Sequence, residues 1–340
     1  MLKKALPRFQ QLSRNIVSSS GSGRRIGIVG VPLSDGQAKN GTELAPEAIR
    51  NAGLQKALNG ISGNIKIKDY GDIRYTPEAS PGYKNMENYE KVIGCNKVLF
   101  EKMKQAFKEN DQVLTLGGDH SMAIGSVLGH LEHDPDFILV WIDAHADINL
   151  NVTSPTGHMH GMPVSFLMEE MRNLTSKFPN LNWTNRRIPA RKIAYIGLRD
   201  VDPLESTILK KFGIAAFGMN HVDKLGINSI IEVINTALDP SRKSKIHISF
   251  DIDALDPSEA PSTGTPVRGG LTLREGIRIM EHFAKTNRVS CVDLVEVNPK
   301  IGDAEDVQRT TKAAIEVIKA AFGNDRAGNA KQLEELEKVL

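Results

Sequence analysis

The chain has 340 residues, of which 40% are hydrophobic and 25% are charged, an ordinary globular balance. No run approaches the ~18 apolar residues that a membrane-spanning helix needs, so we predict no membrane insertion. Cys95 and Cys291 are the only cysteines, too few for a disulfide framework or a cysteine metal site, which favours a reducing compartment.

The formal net charge of +2 is unevenly distributed along the chain. Residues 1–34 carry six basic and no acidic residues, and removing residues 1–25 leaves 37 basic against 41 acidic residues. The body of the protein therefore has no basic excess of the kind that indicates nucleic-acid binding, and we predict no nucleic-acid partner.

The first 25 residues resemble a mitochondrial transit peptide, because they are basic, rich in serine and free of acidic residues. Apolar side chains fall at helical spacing, with Pro7 interrupting the pattern: Leu2, Leu6, Phe9, Leu12 and Ile16. We predict a transit peptide over residues 1–25 and a location in the mitochondrial matrix. The alternative is a basic tail without a targeting role on a cytoplasmic protein.

From Arg25 onward, short β-rich runs alternate with longer helical stretches such as Asn88–Glu109, Leu204–Phe212, Ile227–Leu238 and Leu273–Thr286. Several runs are almost continuously apolar, which is typical of parallel strands buried on both faces. We predict one α/β domain over residues 26–323, with three α/β/α layers and a mostly parallel sheet of about eight strands. The predicted strands are Ile26–Val31, Ile65–Asp69, Gln112–Leu116, Phe137–Ile142, Lys192–Ile196, Ile214–Phe217, Ile246–Phe250 and Val289–Val295.

Three of these strands are followed directly by segments rich in aspartate and histidine. The segments are Gly117–Ser121, Asp143–Asn149 and Asp251–Pro257. Ligands of open α/β sheets bind beyond the carboxyl ends of the strands. We therefore expect the three segments to meet and to form the functional site.

Ligand-type side chains alternate within two of the segments, as Asp143, His145, Asp147 and as Asp251, Asp253. In an extended chain such residues share one face. Carboxylates packed together repel one another and are costly to desolvate, and divalent cations offset both costs. Together with His120 of the first segment, the alternating residues make four carboxylates and two imidazoles without thiolates, a set that favours two Mn²⁺ ions over Zn²⁺. Two such ions ~3.5–4 Å apart can acidify a shared water.

The same segments resemble the ureohydrolase family, the group that includes arginases and agmatinases. GGDHS, DAHADIN and SFDIDALDPSEAPSTGTPVRGGL stand in the order of that family, and the resemblance runs from about Ile26 to Phe322. It implies an eight-stranded parallel sheet and hydrolysis of a guanidino group by a hydroxide that bridges two manganese ions. It also implies that one ion is held by His120, Asp143, Asp147 and Asp251, and the other by Asp143, His145, Asp251 and Asp253.

The substrate-binding segments resemble those of arginases, which cleave L-arginine to L-ornithine and urea. The resemblance implies that Asn149 and Thr156 contact the α-carboxylate and that Asp202 and Glu205 receive the α-amino group. Carboxylates are suitable partners for an ammonium. His158 stands where most arginases carry an asparagine, and Thr156 stands where they carry a serine.

The catalytic roles also come from the resemblance. Glu296 corresponds to the residue that binds the guanidinium, and Thr265 to a second polar contact near it. Asp147 is the predicted proton carrier to the leaving amine, and His160 is the predicted shuttle to solvent, since histidine titrates near neutral pH.

Two other functions remain open from the sequence. An agmatinase or another guanidino-acid hydrolase would share the metals but would not select the α-carboxylate and α-amino group. A non-catalytic protein on the same scaffold would bind arginine or a polyamine without cleaving it.

Residues 324–340 resemble the tail that links subunits in trimeric arginases. We predict a homotrimer in which Arg326 forms an ion pair between subunits. Leu333, Leu336 and Leu340 suggest a short amphipathic helix, and a frayed terminus is the alternative.

Overall fold

The computed structural model describes residues 23–79 and 82–326. Nearly all of the predicted transit peptide, and residues 327–340 of the predicted tail, lie outside these residues. Within the part of the chain that the structure describes, no helix is long and apolar enough to cross a membrane.

Eight strands form one parallel sheet in the order β2-β1-β3-β8-β7-β4-β5-β6. All eight predicted strands are present, with ends that differ from the prediction by three residues at most. The strands are β1 Arg24–Gly30, β2 Ile65–Asp72, β3 Gln112–Leu116, β4 Phe137–Ile142, β5 Ile193–Leu198, β6 Ala215–Gly218, β7 Lys245–Asp251 and β8 Val289–Val295.

The apolar runs form strands because both faces of the sheet are covered. Every residue of β4, β5 and β8 is buried, whereas the edge strand β2 has no buried residue. In β4, Phe137, Leu139 and Trp141 pack into one layer, and the intervening isoleucines and valine pack into the other. This two-sided burial is the physical reason that the strands lack a polar face.

Helices cover both faces of the sheet, which confirms the predicted three-layer fold. The helices α3, α4, α5 and α7 contribute to one apolar cluster, while α1, α2 and α8 to α11 contribute to the other. The helices are α1 Ala45–Asn51, α2 Leu54–Asn59, α3 Tyr89–Glu109, α4 Ala123–His133, α5 Pro163–Leu167, α6 Arg172–Thr175, α7 Pro203–Phe212, α8 Met219–Leu225, α9 Ile227–Leu238, α10 Leu273–Lys285 and α11 Ala304–Ala321.

The centre of the sheet positions the site. The neighbouring strands β3, β8, β7 and β4 end at the same edge, because all pairings are parallel. Their carboxyl ends lead directly into the three Asp/His segments and into Glu296. Residues from four distant parts of the chain thereby meet at one place.

Candidate metal centre

The Asp/His segments turn sharply after their strands, and our expectation of extended segments is wrong. Asp147 adopts a left-handed conformation with φ 50°, and residues Ile252–Ala254 form one turn of 3-10 helix. The Asp251 carboxylate accepts a hydrogen bond from the backbone N–H of Asp253 at 2.8 Å. The carboxylates converge because the chain bends around them, and not because alternate residues share a strand face.

The first group of side chains surrounds one ring nitrogen of His120. His120 Nδ1 lies 3.1 Å from Asp143 Oδ2, 3.2 Å from Asp147 Oδ2 and 3.2 Å from Asp251 Oδ2. All four side chains are buried. They are the four residues that the resemblance assigns to one manganese ion.

The second group surrounds His145 and shares Asp143 with the first. His145 Nδ1 lies 3.2 Å from Asp253 Oδ2 and 3.4 Å from Asp143 Oδ1. The two oxygens of Asp143 therefore face the two groups separately. Each group has ligand atoms close enough together to hold a metal ion.

The bonding pattern of His120 fits a cation. Its Nδ1 atom is buried and has no hydrogen-bond partner, although three carboxylate oxygens surround it. Its Nε2 atom lies 2.8 Å from Ser249 Oγ. A ring nitrogen and three carboxylates offer lone pairs to one point, and a divalent cation satisfies all of them at once.

The protonation equilibria of the metal-free cluster reflect crowding of like charges. Burial and the Asp143 charge raise the pKa of Asp147 to about 7. Burial, followed by the charges of Asp253 and Asp143, raises the pKa of Asp251 well above its usual value. Burial also acts to raise the pKa of Asp143, but hydrogen bonds with His120 and His145 outweigh it and hold that pKa low. A pair of cations would relieve this repulsion and keep all four carboxylates ionised.

Glu296 lies at the end of β8, beside the metal centre. One of its carboxylate oxygens accepts from the His120 backbone N–H at 2.9 Å and lies 3.1 Å from His160 Nδ1. The other accepts from Gln37 Nε2 at 2.5 Å. Burial opposes the charged form of His160, but the contact with Glu296 outweighs it and raises the pKa of His160 to about 9.

A cleft of about 200 Å³ leads from solvent to the two groups. All of the predicted substrate contacts except Glu296 line it, and they are Asn149, Thr156, His158, Asp202, Glu205 and Thr265. No lysine or arginine lines the cleft among the residues that the structure describes. Neutral donors and histidine are therefore the groups available to an incoming carboxylate.

Several of these side chains are bound to the protein itself. Asn149 Nδ2 donates to Asp202 at 3.0 Å, and the Thr265 hydroxyl donates to Asp253 at 3.1 Å. His158 Nε2 lies 3.4 Å from Glu87 at the mouth of the cleft. Glu205 accepts from the backbone N–H groups of Ile148 and Asp202, both at 3.0 Å.

Sequence reasoning missed three residues of the site. Gln37 contacts Glu296 from a loop 259 residues away in the chain, and no local pattern indicates it. Trp141 donates to Asp143 Oδ2 at 2.9 Å and stacks on the His120 ring with centroids 3.9 Å apart. Ser249 contacts His120. Trp141 and Ser249 each stand two residues before a predicted ligand, and that spacing could have identified them.

The fold and the two Asp/His groups together indicate a hydrolase whose site could hold two metal ions. Residues 24–323 match the model of the Arginase family. The chain is 44% identical to human "Arginase-2, mitochondrial", covering 89% of this chain and 86% of that protein. It is also 44% identical to pig "Arginase-1", covering 92% of this chain and 97% of the relative.

Solved structures agree with the sequence relatives. The native arginase of Bacillus caldovelox superposes with a TM-score of 0.79 at 33% identity, over 89% of this chain and 99% of that one. An Entamoeba histolytica arginase, solved in complex with L-ornithine, has a TM-score of 0.76 at 30% identity, over 88% and 99% of the two chains. This chain belongs to the arginase family, which confirms the predicted resemblance. Hydrolysis of arginine to ornithine and urea fits both the family and the two buried Asp/His groups.

Proposed function

We propose that this chain hydrolyses L-arginine to L-ornithine and urea at a pair of Mn²⁺ ions. The observation that carries the proposal is the buried, unpartnered Nδ1 of His120 among three carboxylate oxygens. A second group around His145 shares Asp143 with it. This donor set, rich in carboxylates and free of thiolates, suits Mn²⁺.

The residues would divide between the two ions as the family resemblance implies. His120, Asp143, Asp147 and Asp251 would hold one ion, and Asp143, His145, Asp251 and Asp253 the other. A carboxylate can contact two ions, whereas the lone pair of a neutral imidazole binds one, so Asp143 and Asp251 would be the residues shared by both ions. When bound, the ions lower the pKa of a water between them, so that a nucleophile is available near neutral pH.

Glu296 would orient the guanidinium for hydrolysis. Its carboxylate is buried, and it accepts a hydrogen bond from the backbone N–H of His120, which belongs to the first group. A carboxylate can receive two N–H groups of the planar guanidinium, which fixes its rotation as well as its position. Positioning of this kind can contribute several kcal/mol to catalysis. Thr265, beside Asp253, supplies a further polar group near the same point.

Two side chains would handle the protons. Hydrolysis places the water oxygen on the guanidinium carbon, and the departing ornithine amine must gain a proton. Asp147 lies at the first group, 3.2 Å from His120 Nδ1, and its carboxylate would take up a proton there and pass it to the departing amine. His160 lies on the cleft wall, is 18% exposed and can exchange protons with solvent.

The outer cleft would select the amino-acid head group. Asn149, Thr156 and His158 supply the uncharged or histidine donors that an α-carboxylate needs. Asp202 and Glu205 supply the negative charges that attract the α-ammonium group. Agmatine lacks the α-carboxylate and would forfeit the first set of contacts.

The test is urea release from L-arginine and from agmatine by the full chain after loading with MnCl₂. We expect arginine to be cleaved with a kcat/KM at least about 100-fold above that for agmatine, since missing polar partners leave buried groups unpaired. Preference for agmatine would reassign the chain to another ureohydrolase activity. Arginine binding without urea release would identify a non-catalytic binding protein.

We also propose a mitochondrial location, which is supported by the composition of residues 1–25 and by a relative that is named mitochondrial. A fusion of residues 1–30 to a fluorescent reporter should co-localise with mitochondria. A diffuse cytosolic signal would contradict this proposal and leave the enzymatic one intact.

The proposed trimer has to account for Arg326. Its guanidinium is held within its own chain by Glu281, at 2.7 and 3.1 Å. An ion pair between subunits would require Arg326 to leave or to share this partner. Light scattering of a chain truncated after Gly323 should give a monomer mass if the tail links the subunits, and an unchanged trimer mass would exclude that role.

A further inference from the structure

A series of hydrogen-bonded, buried polar side chains extends from His120 into the core of the protein, away from the cleft. It consists of five residues, which we call the Asp293 array: Ser249, Asp293, His247, His130 and Ser290. All five are buried. None of the five takes part in the proposed hydrolysis.

Asp293 is the acceptor at the centre of the array. One oxygen accepts from Ser126 Oγ at 2.6 Å and from the hydroxyl of Thr115. The other lies 2.9 Å from His247 Nε2 and accepts from Ser249 Oγ at 3.4 Å. Four donors on one buried carboxylate stabilise its ionised form.

These contacts determine where the histidine protons lie. Because Asp293 can only accept, His247 carries a proton on Nε2 and, when neutral, a lone pair on Nδ1. His130 Nδ1, 3.1 Å away, therefore donates to His247, and His130 Nε2 accepts from Ser290 Oγ at 3.0 Å. Burial and the nearby His247 lower the pKa of His130, which agrees with a neutral ring.

The same reasoning reaches His120. The hydroxyl proton of Ser249 is directed to Asp293, so Ser249 Oγ is left to accept a hydrogen bond from His120 Nε2, 2.8 Å away. His120 is thereby held in the tautomer with its proton on Nε2. Its Nδ1 lone pair then points at the three carboxylates of the first group.

The array itself is not a metal site, although His247, Cys291 and Asp293 come close enough together to suggest one. Both oxygens of Asp293 and both ring nitrogens of His247 have protein partners. No atom of this cluster is among the buried, unpartnered polar atoms of the described chain, whereas His120 Nδ1 is.

We propose that Asp293 and His247 are positioning residues that fix the tautomer and ring orientation of His120 through Ser249. This inference rests on the proposed function, because it concerns one of the two ion positions of that function. The array would affect the ion that His120, Asp143, Asp147 and Asp251 would hold. Among the described residues, no hydrogen bond joins the array to His145 or Asp253.

The experiment compares Asp293→Asn, Ser249→Ala and the double variant with the unmodified full chain. Each protein is stripped of metal and titrated with MnCl₂ by calorimetry, and electron paramagnetic resonance distinguishes single ions from coupled pairs. We expect Asp293→Asn to weaken one of two binding steps about 10- to 100-fold, as loss of a partner behind a ligating histidine typically does. The second step should change by less than about threefold.

The double variant tests whether Asp293 acts through Ser249. If it does, the double variant should bind no more weakly than the weaker single variant, because both remove the same link. Additive losses would overturn the proposal. If Asp293→Asn does not fold, Ser249→Ala carries the test, since it leaves His247, Ser126 and Thr115 on Asp293.

Asp239→Asn is the matched control for the loss of a buried carboxylate. Asp239 is 3% exposed and is paired with Arg288 at 2.5 Å. It lies in the loop before β7, at the amino-terminal ends of the strands and therefore on the side of the sheet away from the metal centre. The Asp239→Asn variant should be less stable to heat but should bind both Mn²⁺ ions as tightly as the unmodified chain does. If Asp293→Asn and Asp239→Asn lose Mn²⁺ affinity equally, the array affects metal binding only through the stability of the fold, and the proposal is overturned. Two tight Mn²⁺ sites without urea release would instead contradict the proposed function and leave this inference standing.

Discussion

Two acidic residues at the site adopt a backbone conformation that L-residues usually avoid. Asp147 has φ 50° and Glu296 has φ 65°, and both follow buried strands. Such conformations cost about 1–3 kcal/mol and persist only where the surroundings enforce them. For Glu296, the enforcing contacts are those to His120, His160 and Gln37. The left-handed backbone places the Asp147 carboxylate on the cleft wall and the Glu296 carboxylate beside the metal centre.

Replacing Glu296 by alanine should remove turnover and leave the metals bound. We expect kcat to fall by at least about 100-fold, because the guanidinium loses its orienting partner. Mn²⁺ content after gel filtration, measured by atomic emission, should stay at the unmodified level. Loss of manganese together with activity would mean that Glu296 belongs to the metal site and not to the substrate site.

Asp202→Ala should chiefly weaken arginine binding. Asp202 lines the outer cleft and accepts a hydrogen bond from Asn149, so its removal affects both predicted head-group contacts. We expect KM for arginine to rise by about tenfold or more, with a smaller change in kcat. The control is Asp223→Ala, which removes an exposed carboxylate outside the cleft and should leave KM unchanged. Steady-state urea assays in which Asp202→Ala leaves KM unchanged would remove the head-group assignment.

At the scale of the elements, the site depends on how closely the end of β3 approaches the loop after β1. A Cβ atom added to Gly118 would lie 1.9 Å from the Leu33 carbonyl oxygen, which is too close for any side chain. The backbone N–H of Asp119 donates to that oxygen at 2.9 Å, and the N–H of Glu296 donates to the Gly118 carbonyl at 2.9 Å. Gly118 therefore joins three chain segments that carry site residues.

Gly118→Ala should separate these segments. We expect the free energy of unfolding to fall by more than about 2 kcal/mol, since overlap with backbone cannot be relieved by a rotamer change. Gly60→Ala is the control, because its nearest neighbour would be 3.4 Å away and its φ is −78°. Urea denaturation should give nearly equal stabilities for Gly60→Ala and the unmodified chain. A Gly118→Ala protein as stable as this control would contradict the close approach.

At the scale of the whole molecule, the site stores electrostatic repulsion that the bound ions would offset. Burial and the Glu296 charge raise the pKa of Asp119 to about 6. Burial is also the main reason that the pKa values of Asp147 and Glu205 reach about 7. All three side chains are at most 6% exposed, so little water is available to stabilise their charged forms.

The metal-free protein should therefore lose stability as the pH rises from about 4.5 to about 7. In this window the folded chain retains protons on these carboxyls that the unfolded chain has already released, so the free energy of unfolding falls with pH. Manganese should reverse the trend, because it binds the deprotonated carboxylates of the folded chain.

Differential scanning calorimetry can check both slopes, with EDTA in one series and MnCl₂ in the other. We expect Tm to drop by several degrees across the window in EDTA. Glu205→Gln should flatten part of this slope, since it removes one of the raised carboxyls. A Tm that rises through the window in EDTA would show that repulsion among the buried carboxyls does not destabilise the metal-free protein.

The amino-acid sequence determined the eight strands, the three-layer fold and the meeting of the Asp/His segments at one edge of the sheet. Strands buried on both faces must be apolar throughout, and the chemistry of metal binding requires carboxylates and imidazoles, so both features are visible in composition and order. The sequence also indicated which strand ends carry the site, because parallel strands end at one edge.

Only the tertiary structure decided which atoms face one another. Alternation along the chain suggested a shared strand face for Asp143, His145 and Asp147, but the positive φ of Asp147 and the turn after Asp251 bring the ligands together instead. Gln37 reaches Glu296, and Asp293 connects to His120 through Ser249, across large separations in the chain. Such contacts depend on backbone dihedral angles and on packing between distant segments, and local sequence patterns encode neither.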